Sequence, residues 1–140
     1  MGYTHYINHI KPFSDEQWDN IQRFTTALIL AAKQSGIVIC DGSGEGEPTI
    51  NDECIHFNGQ GPDSYEDFYL DRTATAPHAF CKTERKPYDA VVVALLIYLN
   101  DTTDCLMSES DGEIFGSGPD QWDERTTAQK IIEVAQERVA

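Results

Sequence analysis

The chain is poor in positive charge. Ten lysines and arginines face 24 aspartates and glutamates, for a formal net charge of 10 − 24 = −14. General nucleic-acid binding wants a basic face, so that class is excluded. The four cysteines, Cys40, Cys54, Cys81 and Cys105, are far apart and form no C-x-x-C pair. Free buried thiols in a reducing cytosol are the expectation. His, Asp and Glu are scattered without metal spacing, so no metal and no cofactor are expected. The longest apolar run is only Ala90 to Leu99, short of the roughly 20 residues a membrane helix needs. The opening Met1–Tyr6 has no basic region and no apolar run. No secretory signal is expected from it, and Tyr6 stands where a myristoylation signal needs Ser or Thr.

Enough remains to fold. Hydrophobic residues make up 40% of the 140 positions, so acidity does not imply disorder. A single domain over 1–140 with one core is the expectation. Its centre is the uncharged run Ala90–Leu99, a helix apolar on every side and hence buried. Pro87 suits a first helical position and Asp89 the first turn, which predicts a helix from about Pro87 to Asn100.

Taken in order, Thr4–Ile10 alternates as a strand. Tyr6, Asn8 and Ile10 would face one side, and His5, Ile7 and His9 the other. His5 and His9 would lie roughly 13 Å apart, too far to share a metal. Ser14 and Gln17 form a capping box, and Phe13 can staple onto Trp18. The stripe Trp18, Ile21, Thr25, Leu28 and Ala32 predicts a helix over about 15–35, with Gly36 as its C-cap. Further strands are expected at 37–40, 50–58, 64–72, 79–83 and 105–108, with Asn58-Gly59 as a turn signal. A last helix would begin at Pro119 or Asp120, with Trp122, Thr126, Ile131, Ala135 and Val139 facing inward. The reading is α+β: a largely antiparallel sheet with about three helices packed mainly on one face.

The loop at 41–48 falls partly on a calcium-loop pattern through Asp41, Ser43, Glu45, Gly46 and Asp52. A strand before it, Pro48 within it and Asp at its last position oppose that reading. Phosphate is equally disfavoured there, because Asp41, Glu45 and Glu47 would repel it.

Against the acidity, Lys82, Arg85 and Lys86 gather just before the central helix. A helix start already attracts anions through its unpaired N–H groups, so three cations there point either to pairing with carboxylates elsewhere in the chain or to an anion or phosphate site. Tyr3, Tyr6, Tyr65, Phe68 or Tyr88 would stack on a base or ribose, and Asn58 or Thr83 would hydrogen-bond it.

Several stretches, Met1–Tyr6, Gly46–Ile50, Phe57–Gly59, Tyr65–Phe68, Phe80–Thr83 with Arg85–Asp89, and Ser110–Gly112 before a Trp, resemble a family of small uncharacterised tailed-phage and prophage proteins. The resemblance implies context, not activity: an accessory phage protein in a bacterial cytoplasm. Such proteins counter host defence by binding a defence protein or by sequestering a nucleotide signal.

Three functions are carried forward. The first is a binding protein for an anionic small ligand, of the class of a nucleotide signal. The second is an acidic inhibitor that mimics nucleic acid on a basic host protein, using carboxylates such as Asp41, Glu45, Glu47, Asp63, Glu66, Asp67, Asp101, Asp104, Glu109 and Asp111; its binding would fall with salt. The third is an enzyme with Cys81 as nucleophile and His56 or His78 as base. No nucleophile signature surrounds Cys81, so the chain is read as a non-enzyme. Exposed sheet edges would allow a homodimer.

Overall fold

The computed structural model describes residues 4–73, 78–84, 86–110 and 124–139. Helix α1 (Asp15–Gln34) starts where the capping box sits. Gln17 N–H donates to Ser14 Oγ at 3.1 Å, and Ser14 N–H donates to Gln17 Oε1 at 2.8 Å. Two orphan donors of the first turn are satisfied in this way. Phe13 packs on Trp18 with ring centroids 5.6 Å apart. The expected stripe is buried throughout, together with Phe24, Ala27 and Ala31. Gly36 ends the helix at φ +85°. Ile37 N–H reaches Ala32 O and Gly36 N–H reaches Lys33 O, the double closure that a left-handed residue after a helix permits.

Helix α2 (Asp89–Thr102) is buried on almost every side, with Val91, Val92, Val93, Leu95 and Leu96 all sealed from solvent. It begins two residues later than expected. Pro87 belongs to a tight turn in which Lys86 N–H donates to Thr83 O and Asp89 N–H to Lys86 O. Helix α3 (Glu124–Val139) packs against both α1 and α2. Ala128, Ile131 and Ala135 are buried there. Val139 lies exposed rather than inward; Trp122 and Thr126 fall outside the described side chains. Between α1 and α2, Phe24 stacks on Tyr98 at 3.8 Å.

The described strands are all antiparallel and divide into two sheets. In the first, β1 (Thr4–His9) is central, between β5 (His78–Lys82) and β6 (Leu106–Ser110). Its alternation is as expected: His5, Ile7 and His9 are buried, while Tyr6 and Asn8 are exposed. The second sheet runs β2 (Thr49–Ile50), β3 (Cys54–Phe57) and β4 (Phe68–Asp71). The run at 50–58 is therefore not one strand. Asn51 Oδ1 accepts the N–H groups of Glu53 and Cys54 and turns the chain back on itself. The run at 37–40 is not a strand either; only Cys40 pairs, in a single bridge to Asn58. The fold is α+β. No helix among the described residues is long and apolar enough to cross a membrane.

Candidate functional site

Four of the residues expected to touch a ligand are instead built into the fold. Asn58 is buried. Its Oδ1 accepts from Gly59 N–H and Tyr65 N–H, and its Nδ2 donates to Gly42 O and Tyr65 O. All of its short-range hydrogen-bonding capacity goes to tying loops together. Phe68 is buried against Phe57, with centroids 5.0 Å apart. Tyr88 is buried and donates its hydroxyl to Glu66 O at 2.5 Å; burial pushes its phenol far above the usual range. Thr83 is buried and donates to Asp89 Oδ1 at 2.6 Å. Arg85 and Tyr3 lie outside the described residues.

The start of α2 is also not the open anion cradle expected. Asp89 N–H, Ala90 N–H and Val91 N–H already donate to Lys86 O, Pro87 O and Tyr88 O. Lys86 is half-buried beside this turn. Glu84, between the cations, sits at φ +52° and holds Lys82 Nζ at 3.3 Å. That contact raises the Lys82 pKa above its ordinary value. The loop at 41–48 is likewise self-satisfied. Asp41 Oδ1 accepts from Ser43 N–H at 2.8 Å and from Ser43 Oγ at 2.5 Å. Among the described residues no three His, Cys, Asp or Glu side chains are grouped to hold a metal.

What the structure does bring together is an outward face. On the β5–β1–β6 sheet, Tyr6 stands directly opposite Phe80. They are 45% and 66% exposed, and Met107, opposite Asn8 on β6, is 63% exposed. Lys82 is the next outward position of β5, and its ammonium lies 5.9 Å from the centre of the Tyr65 ring, inside cation–π range. Thus Lys82, Tyr6 and Tyr65 converge on the surface while Asn58, Phe68, Thr83 and Tyr88 do not. Phe80 escaped the sequence reading of the site. Its register with Tyr6 is what marks it.

The opposite face of the same sheet carries a buried polar chain. His5 Nε2 lies 2.5 Å from Asp89 Oδ1, and His5 Nδ1 lies 2.6 Å from Ser110 Oγ. Thr83 meets the same Asp89 oxygen. His5 and Asp89 are wholly buried, whereas Ser110 keeps part of its surface exposed. Asp89 Oδ2 is buried with no hydrogen-bond partner. Four stretches singled out in the sequence, at 1–6, 80–83, 85–89 and 110–112, send one residue each to this cluster.

Cys81 lies beside it and is no activated thiol. Burial drives its pKa far up, and its Sγ contacts Glu66 O at 3.5 Å. Neither expected base serves it: His56 pairs with Asp67, and His78 Nδ1 lies 2.7 Å from Asn8 Oδ1. Compared with protein-family models, curated proteins and solved structures, the chain has no match in any of the three.

Proposed function

We propose that the chain binds a small anion that carries a flat ring, of the nucleotide class, on the outer face of the β5–β1–β6 sheet. The carrying observation is the side-by-side exposure of Tyr6 and Phe80 with Lys82 as the adjoining cation. Exposed aromatics in register form a platform on which a base stacks, worth about 1–3 kcal/mol per base. A phosphate would draw Lys82 away from Glu84, exchanging a surface ion pair for one with a more highly charged partner. The site thus uses Lys82, Tyr6 and Tyr65 from the sequence reading and adds Phe80.

The test is a thermal-shift series with mono- and dinucleotides, cyclic oligonucleotides and inorganic phosphate. A ligand that binds only the native state raises the midpoint. The expected result is a nucleotide-dependent rise that phosphate alone does not reproduce. Tyr6→Ala and Phe80→Ala would each weaken binding about tenfold, and Lys82→Ala would weaken it and flatten its salt dependence. A shift untouched by all three substitutions places the ligand elsewhere. No shift with any nucleotide rejects the reading and favours the acidic-inhibitor alternative.

A further inference from the structure

We propose that Ser110 is an activated nucleophile, with His5 as its general base and Asp89 as the group that orients His5. The site lies on the inner face of the sheet and is independent of the aromatic platform.

The argument begins with protons. A carboxylate only accepts hydrogen bonds. Asp89, in the first turn of α2, sits where the positive end of the helix favours an anion. Its Oδ1 accepts Thr83 Oγ–H and, at 2.5 Å, His5 Nε2. The Nε2 proton of His5 is thereby assigned to the bond with Asp89. In the tautomer that carries no proton on Nδ1, that nitrogen accepts from Ser110 Oγ, 2.6 Å away. Ser110 then has a base within hydrogen-bond contact. These are the roles of a Ser–His–Asp triad with the two ring nitrogens exchanged, and such triads are recognised by geometry and role rather than by chain order.

Two further features separate this chain from structural glue. Asp89 Oδ2 is sealed in without a hydrogen-bond partner, so one carboxylate oxygen near His5 has no donor. Positive charge that develops on His5 during proton transfer is met by this carboxylate. Exposure is also graded. Ser110 is part-exposed while His5 and Asp89 are shut off from water, as a nucleophile and its shielded base require.

The chemistry this supports is acyl transfer from a carboxylic ester. Ser110 Oγ bonds to the carbonyl carbon as its proton passes to His5 Nδ1. The ester C–O bond then breaks, and the departing alcohol takes that proton. Water repeats the sequence on the acyl-serine, releasing the carboxylic acid and restoring Ser110.

The experiment is labelling of the intact folded protein with an alkyl fluorophosphonate, in which Oγ bonds to phosphorus and fluoride leaves. One adduct per chain is expected, mapped by mass spectrometry to Ser110, absent from Ser110→Ala and slowed about 100-fold in Asp89→Asn. Because substitution of Asp89 threatens the fold, Ser110→Cys provides a second measurement that leaves His5 and Asp89 in place. Its introduced thiol would react with iodoacetamide at neutral pH about tenfold faster than partly exposed Cys54. A folded protein that is not labelled at Ser110, or an introduced thiol no faster than Cys54, overturns the proposal.

Discussion

His5 Nε2 and Asp89 Oδ1 meet at 2.5 Å with both side chains sealed from solvent. They tie the central strand of one sheet to the first turn of the buried helix. Breaking such a pair from one side leaves a charge or dipole stranded in the interior, which costs about 3–5 kcal/mol. His5→Ala should therefore lower the urea midpoint sharply with an unchanged m-value. A loss below about 1 kcal/mol would mean that the site relaxes and admits water.

Leu95 is among the largest side chains with no exposure at all. Leu95→Ala should destabilise by about 2–5 kcal/mol, the lost transfer energy plus the cavity left behind. Equilibrium denaturation checks it, and circular dichroism of the folded variant should show the helices retained.

The two ends of α1 should respond separately. Ser14→Ala removes the acceptor for Gln17 N–H and should cost about 1 kcal/mol. Gly36→Ala forces a Cβ into a left-handed conformation at φ +85° and should cost about 1–2 kcal/mol. A Cβ at Gly36 meets nothing within 4 Å, so the second loss is conformational rather than a clash. The sites are far apart along the helix, and the double variant should show their sum.

Thiol reactivity should rank by burial. Cys40, Cys81 and Cys105 are buried and Cys54 is partly exposed. Burial raises the pKa of all four, Cys81 far more than the rest. With a disulfide-forming chromogenic reagent at pH 8, Cys54 should react first and Cys81 only on unfolding. A fast Cys81 would mean that the chain opens locally at β5.

Asp41 is held below the usual carboxylate range by Ser43, whose side chain and backbone both donate to it. A depressed folded pKa adds stability that is present above the unfolded value. It is lost as pH falls through the folded one. Ser43→Ala should move the Asp41 titration upward, read by NMR, and make the folded protein less sensitive to acid between those two values.

Much of this fold is written locally. Ser14, Gln17 and Gly36 mark both ends of α1, and the uncharged run from Ala90 marks α2 as interior. The strand breaks are less legible, because Asn51 turns the chain within the stretch 50–58 through one side-chain oxygen. Thr83 lies within the stretch of three cations and Tyr88 just after it, which makes both read as ligand contacts. Only the tertiary fold reveals that Asp89 and Glu66 already occupy them. The chain from Ser110 through His5 to Asp89 joins residues 105 and 84 positions apart. It follows from the pairing of β1 with β6 and the docking of α2, and no local pattern encodes it.

The placement of β1 also sets an order of assembly. Its partners are β5 and β6, which follow α1 and the whole second sheet. His5 meets Ser110 only after 105 further residues, about 5–20 s of synthesis at 5–20 residues per second. During synthesis β1 has two open edges until β5 emerges and one until β6 follows, while α1 can already coil behind it. β1 is thus made before both of its partners, and one of its edges stays open to wrong pairing until β6 arrives.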